Sequence, residues 1–230
     1  MTLPRTPEPI ADPKAESDLY RQMDHNDVNG RFVSDLLSAG KVGKHVVDLG
    51  CGPADIPIKL VTRIQELGQE LEQDVQVMGI DFEPEMLTIA KEEIDFAGMI
   101  GQIILEQADA SNLVGFDDAM ADTVISNTFL HHLDHPVKGM AEAVRILKPS
   151  GRLFIRDLYR PETAAQVEDL VALHAGNENN DAKQMLRQSL HAALTLEEIT
   201  SIAKGLGISN ENVVMTSDRH WTIDWTKPNH

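Results

Sequence analysis

The most constraining stretch of this 230-residue chain is His45-Val46-Val47-Asp48-Leu49-Gly50-Cys51-Gly52-Pro53-Ala54-Asp55-Ile56-Pro57. A short β-branched run leads to Asp48, and glycines follow at 50 and 52. A helical pattern begins near Asp55, a candidate N-cap, with Pro57 in the first turn, where a missing N–H costs nothing. Strand, glycine turn and helix in this order bring a ligand against bare backbone beside a helix N-terminus. A two-glycine turn also fits nicotinamide-dinucleotide sites. The acids argue against that ligand, because a pyrophosphate here would meet Asp48 and Asp55, and like charges in a desolvated cleft are costly. The turn suits a cationic ligand instead.

Four further segments follow in order: Gly79-Ile80-Asp81-Phe82, Ala108-Asp109-Ala110, Asp122-Thr123-Val124-Ile125-Ser126-Asn127 and Leu147-Lys148-Pro149-Ser150-Gly151-Arg152-Leu153. With Val47–Gly52 they make five parts in register, and over roughly Val46 to Leu158 the chain resembles the class I S-adenosylmethionine-dependent methyltransferases. S-adenosylmethionine carries the ammonium and sulfonium that acids around such a turn would welcome. Two departures stand out. The family's third glycine is Ala54 here, at a position where helix packing is the requirement. The interval from Asp48 to Asp81 also exceeds the roughly 20 residues usual in such units, which predicts an extended first helix or loop.

Length and composition bound the rest. The chain can bury one substantial core, so one domain with decorations is expected. No apolar run approaches the roughly 18 residues that span a bilayer, and the first residues lack a signal-peptide core. A single cysteine, Cys51, rules out an internal disulfide and points to a cytoplasmic location. A net charge of −17 repels phosphate backbones and argues against nucleic acid, though it also serves solubility.

Prolines at 4, 7, 9 and 13 mark residues 1–16 as a flexible tail ahead of a single domain, 17–230. Ser17 can cap a short helix, and Val28, Phe32, Val33, Leu36 and Leu37 form a second helical stripe stopped by Gly40. Residues 17–40 are expected as an N-terminal lid, with a solvated helix–helix corner as the alternative. Strands at 75–80, 102–106, 123–126 and 152–157 alternate with helical patterns, which implies a Rossmann-like doubly wound sheet with helices on both faces. Residues 159–194 read as a helical insertion, Thr195–Glu198 as a capping box, and 213–216 with 221–225 as an antiparallel edge hairpin completing seven strands.

The resemblance assigns a cofactor set. Asp48, Gly50, Cys51 and Gly52 line the glycine turn. Asp81 would accept the ribose hydroxyls, or else complement a helix dipole. Phe82 would pack on adenine, a core phenylalanine being the alternative, and Met86 on the next helix joins the set. Asp109 and the Ala110 N–H would read the adenine edge, a turn-forming Asp109 being the alternative. Asn127 and His132 would line the cleft by the methionine part. Arg31 could meet the cofactor carboxylate while Tyr20 closes over the sulfonium.

His131 and His132 are candidate general bases, although methyl transfer relies mainly on positioning the nucleophile in line with the sulfonium. His131 and His135 share the i, i+4 spacing of a metal half-site, but Pro136 disfavours a helical His135 and no further ligands are in place, so no metal is expected. Cys51 reads as a small side chain in the turn rather than a nucleophile. Arg156, Tyr159, Arg160, Arg219 and His220 are candidate substrate contacts; arginines in so acidic a chain suggest an anionic small molecule, with salt bridges to surplus acids as the alternative. The expected activity is metal-independent methylation of a small molecule. A protein methyltransferase and a non-catalytic cofactor-binding scaffold are the alternatives, and the oligomeric state stays open.

Overall fold

In the computed structural model, which describes residues 3–8, 26–67 and 74–229, alternating strands and helices build one seven-stranded sheet. The strands are β1 (His45–Leu49), β2 (Gln76–Asp81), β3 (Ile103–Gln107), β4 (Ala121–Asn127), β5 (Leu147–Leu158), β6 (Val213–Met215) and β7 (His220–Thr226). The described helices are α1 (Asn26–Ala39), α2 (Asp55–Leu67), α3 (Pro84–Phe96), α4 (Pro136–Ile146), α5 (Ala164–Ala175), α6 (Asn180–Ala192) and α7 (Leu196–Gly205). Strand order is β3-β2-β1-β4-β5-β7-β6. β1 to β5 run parallel, and β7 pairs antiparallel with both β5 and β6. Chain order reverses between β1 and β4, so their carboxyl ends open the crevice where doubly wound sheets bind ligands.

Two apolar layers sandwich the sheet. Phe32, Val33 and Leu36 of α1 join Leu60 and Val61 of α2 and Ala90 and Ile94 of α3 on one face. Met140, Ala143 and Ile146 of α4 join Ile199 and Ala203 of α7 on the other. The stripe read from 28 to 37 is therefore a core face, whatever part residues 17–40 play over the cleft. A third cluster (Leu158, Val167, Val171, Leu190 and Ala193) binds α5 and α6 beyond the end of β5. Reciprocal capping boxes start α5 at Thr163–Gln166 and α7 at Thr195–Glu198. No helix among the described residues is long and apolar enough to cross a membrane.

Three details depart from the sequence reading. β5 begins at Leu147 rather than at 152, and it pairs with β4 through a register shift, with Ser150 at φ 61°. Asp55 is the first helical residue of α2, not its N-cap. Residues 3–8, expected within a free tail, are docked. Leu3 packs on the α5–α6 cluster, Leu3 N–H donates to Glu162 O, Thr6 N–H donates to His191 O, and Arg5 bonds three carbonyls within 2.9 Å. The polar composition of this segment hid the docking, because its energy comes from backbone and guanidinium hydrogen bonds rather than from an apolar face. Tyr20 and the helix expected from Ser17 lie outside the described residues.

Candidate cofactor cleft and histidine pairs

At the carboxyl end of β1 the chain turns through Gly50 (φ 70°), Cys51 and Gly52 (φ 51°), and the N–H groups of Gly50 and Cys51 both donate to Ile80 O, at 2.8 and 3.0 Å. Gly52 N–H donates to Asp81 Oδ2 at 2.8 Å, and Glu83 N–H donates to Oδ1 at 3.0 Å. Asp81 is thus locked across the mouth of the turn. Burial raises its pKa, while the Glu83 and Gly52 amides pull it back. Ala54 takes φ 64° at full burial, a left-handed conformation that costs a side-chain residue roughly 1–2 kcal/mol. The position therefore demands more than helix packing, and alanine is held there by its neighbours.

Asp48 is 1% exposed, and its Oδ2 is buried with no hydrogen-bond partner. On neighbouring β4, Asn127 Oδ1 is also buried and unpaired, while its Nδ2 donates to Asn29 Oδ1 at 3.1 Å. Asn29 Nδ2 in turn donates to Asp55 Oδ2 at 2.7 Å. Two orphaned acceptors at the ends of adjacent strands need donors, since burying them unpaired is costly. An ammonium supplies three N–H groups and a positive charge, so these residues fit the amino-acid end of S-adenosylmethionine. Asn29, one of the polar residues of the expected lid segment, thus bridges α1 to the start of α2 and to β4.

Asp48 also makes a pH prediction. Burial first, and the Asp81 charge second, raise its pKa well above normal. The folded, cofactor-free protein therefore holds a proton that the unfolded chain releases near 3.8, so the destabilisation from ionising Asp48 grows as pH rises through the raised value. Asp48→Asn is expected to raise the melting temperature of the cofactor-free protein at pH 8. It should also weaken S-adenosylhomocysteine binding by about 1.5–3 kcal/mol for the lost charged hydrogen bond. In the native protein, binding should release protons, measurable by calorimetry in buffers of different ionisation enthalpy. A variant that melts lower and binds equally well would remove Asp48 from the ammonium site.

Phe82 is 62% exposed, Met86 on α3 is partly buried, and Gln107 Nε2 donates to Phe82 O at 3.1 Å. Asp109 is exposed, and its Oδ1 accepts the Ser111 N–H and hydroxyl at 2.8 and 2.7 Å, so it forms a local turn. Ala110 is buried. Cys51 packs against Gly79, where a Cβ would meet its sulfur at 2.8 Å; burial and the Asp48 and Asp81 charges push its thiol up, which keeps it protonated. Arg31 is exposed and lies two residues, or about 200° around α1, from the cleft-facing Asn29.

The two histidines sit on a 3-10 turn, Leu130–His132, after β4, with rings stacked 4.2 Å apart. His131 is 1% exposed and tied to Asp157 of β5. Its Nδ1–H donates to Oδ1 at 2.6 Å, and its backbone N–H donates to Oδ2 at 2.9 Å. His132, about one-third exposed, has Nδ1 2.9 Å from Glu8 Oε2. Its turn follows directly on the carboxyl end of β4, which Asn127 closes. His135 instead precedes α4 in a non-helical conformation, so it does not share a helix face with His131. Glu8, His131 and His132 are the described residues whose donor atoms gather within 4.8 Å, and both Nδ1 atoms there are already committed to carboxylates. Asp157 and Glu8 were the partners that the sequence reading did not assign.

The expected substrate arginines divide. Arg156 Nε donates to Thr222 Oγ1 at 3.0 Å and Nη2 to Asp35 Oδ2 at 2.8 Å, with its guanidinium 5.7 Å over the Phe32 ring. It faces α1, opposite to Asp157, because adjacent strand residues alternate. Arg160 donates to Ala193 O at 2.8 Å and pairs with Glu198 at 2.5 Å, clamping the α6–α7 junction. Both follow the salt-bridge alternative. His220 bonds Ser217 at 2.8 Å and is pushed down to about 3 by burial and the Arg219 charge, so it is neutral. The Arg219 side chain makes no hydrogen bond among the described residues; burial lowers its pKa and Asp218 partly offsets this. Tyr159 lines a nearby cavity of about 210 Å³ with Pro161, Gln166, Asp169, Leu170 and Asp218.

A doubly wound sheet with an antiparallel seventh strand, a glycine turn against two orphaned acceptors and an acid at the second strand end define the class I S-adenosylmethionine-dependent methyltransferases. Residues 40–212 match the family model described as a methyltransferase domain, and the chain belongs to this family and uses S-adenosylmethionine. It is 28% identical over 183 residues to the Arabidopsis thaliana chloroplastic 2-phytyl-1,4-beta-naphthoquinone methyltransferase, covering 75% of this chain and 67% of that one. It is 27% identical over 146 residues to a Vibrio vulnificus ubiquinone/menaquinone biosynthesis C-methyltransferase, covering 63% of this chain and only 53% of that protein. A Methanococcus maripaludis structure, solved as a candidate S-adenosyl-L-methionine-dependent methyltransferase, superposes with a TM-score of 0.71 at 19% identity, covering 98% of both chains.

Proposed function

We propose that this enzyme methylates a small molecule through a phenolic or enolic hydroxyl-bearing unit, with His132 as the general base. The observation that carries this reading is the placement of His132: partly exposed, on the turn that follows the carboxyl end of β4, with Nδ1 held by a carboxylate. With Nδ1–H donated to Glu8, Nε2 is the ring's proton acceptor. Bound S-adenosylmethionine supplies an activated methyl group whose transfer leaves S-adenosylhomocysteine. Asp48 and Asn127 accept from the ammonium, Asp81 accepts from the ribose, and Phe82 and Met86 flank the adenine. His132 takes the hydroxyl proton as the acceptor's oxygen or ring carbon bonds the methyl. Arg219 and Tyr159, at the ends of β7 and β5, offer polar contacts to the acceptor. The quinone-pathway names of two relatives support a hydroxylated ring as acceptor.

Calorimetry is expected to show S-adenosylhomocysteine binding and no NAD binding. Release of S-adenosylhomocysteine should depend on a phenol or quinol from a small panel. His132→Gln should lower kcat about 10²–10⁴-fold while leaving cofactor affinity intact. Tight NAD binding would overturn the cofactor reading, and unchanged turnover in His132→Gln would overturn the base.

A further inference from the structure

Residues 3–8 form a strap that ends on the histidine turn. Arg5 anchors it: Nε donates to Ala192 O at 2.7 Å, and Nη2 donates to His131 O at 2.9 Å and Leu133 O at 2.7 Å. Arg5 therefore ties the turn to the end of α6. Three residues on, Glu8 enters the same corner with 9% of its side chain exposed. Its Oε2 lies 2.9 Å from His132 Nδ1, and its Oε1 accepts the Ser189 hydroxyl at 2.5 Å. An almost buried carboxylate persists only with such partners. Burial by itself pushes the Glu8 carboxyl up, but the His132 hydrogen bond, the histidine charges and Ser189 hold it down at about 2.

We infer that Glu8 is a positioning residue for His132, carried to it by the N-terminal strap, so that the base is complete only when residues 3–8 are seated. This rests on the reading of His132 as the base. Glu8 fixes the Nδ1–H tautomer, as a carboxylate behind a histidine does, and stabilises the imidazolium formed when Nε2 takes the acceptor's proton. One proton moves from the acceptor hydroxyl to Nε2, and the Nδ1 proton stays shared with Glu8. The neighbouring His131–Asp157 pair has the same chemistry but is sealed in the core, so it braces the turn instead. Among the described residues, the charged and titratable groups near the His132 ring include Glu8 from the strap, Asp81 from β2, His131 with its ring centroid 4.2 Å away and Asp157 behind that. Asp134 and Arg5 lie alongside the turn. Among these described groups carboxylates outnumber cations, and Glu8 lies at hydrogen-bond distance from Nδ1.

The test uses the full chain saturated with S-adenosylhomocysteine, following the His132 ring Cε1–H resonance against pH, assigned by its loss in His132→Gln. In Glu8→Gln the titration midpoint should move to lower pH, while cofactor affinity changes less than about threefold. Arg5→Ala, which unseats the strap but keeps the carboxylate, should move it the same way. With any acceptor that turns over, Glu8→Gln should lower kcat roughly tenfold and leave KM unchanged, with partial rescue in Glu8→Asp. A midpoint in Glu8→Gln that coincides with the native one overturns the inference. Full turnover in His132→Gln defeats the base reading instead, and the resonance separates the two failures.

Discussion

Gly50→Ala is expected to abolish cofactor binding and to leave a strongly destabilised fold. A Cβ at position 50 would lie 2.1 Å from Phe129 Cδ2 and 2.2 Å from Cγ, so the ring after β4 closes directly over the bare glycine. The backbone there has φ 70°, a left-handed conformation that costs a side-chain residue roughly 1–2 kcal/mol. Forcing a methyl group into a packed contact adds about 1–3 kcal/mol. The N–H groups of Gly50 and Cys51 share Ile80 O, so a shift of the turn also disturbs the neighbouring Gly52–Asp81 bond. Thermal unfolding and calorimetry with S-adenosylhomocysteine are the measurements. The destabilisation corresponds to a drop of about 2–4 °C per kcal/mol for a chain of this size. Gly50→Ala with native affinity would show that Phe129 and the turn can part without cost, against this account of the site.

The second large effect is expected from Asp157→Ala. The carboxylate accepts three buried donors: the His131 ring Nδ1–H at 2.6 Å, the His131 N–H at 2.9 Å and the Leu158 N–H at 2.7 Å. With Asp157 and His131 both 1% exposed, water cannot take over these bonds without opening the packed face of the sheet. Removing one partner of such a buried pair costs about 3–5 kcal/mol, far more than the net worth of the pair itself. The double variant Asp157→Ala, His131→Ala should lose much less than the two single effects added together, which a thermodynamic cycle would read. Additive losses would mean that the two residues act independently. Because His131 braces the turn beneath His132, Asp157→Ala should also lower turnover.

Much of the cofactor half was legible because its signals are local. A β-branched run, Asp48, glycines at alternate positions and a proline in the first helical turn dictate strand, turn and helix within a dozen residues, whatever the remainder does. Strands alternating with 3.6-period helices then require a parallel sheet covered on both faces, and the crevice at the ends of β1 and β4 follows. The 195–198 capping box was equally local, each partner lying within one helical turn of the other.

Tertiary structure decided which charged groups work in the cleft. Arg156 and Asp157 are neighbours in sequence, and both lie within the apolar strand β5. The pleat sends them to opposite faces, and only the register against Thr222 and Trp221 of β7 shows that Arg156 staples α1 while Asp157 meets His131. Asn29 reaches Asn127 across 98 residues of chain, and Glu8 reaches Ser189 across 181. Such polar pairs leave no periodic trace, because a hydrogen bond constrains two side chains and nothing between them. Hydrophobic pattern and turn chemistry therefore specify the scaffold from the sequence itself. The partners of Asp48, His132 and the arginines depend on distances that exist only once that scaffold has closed.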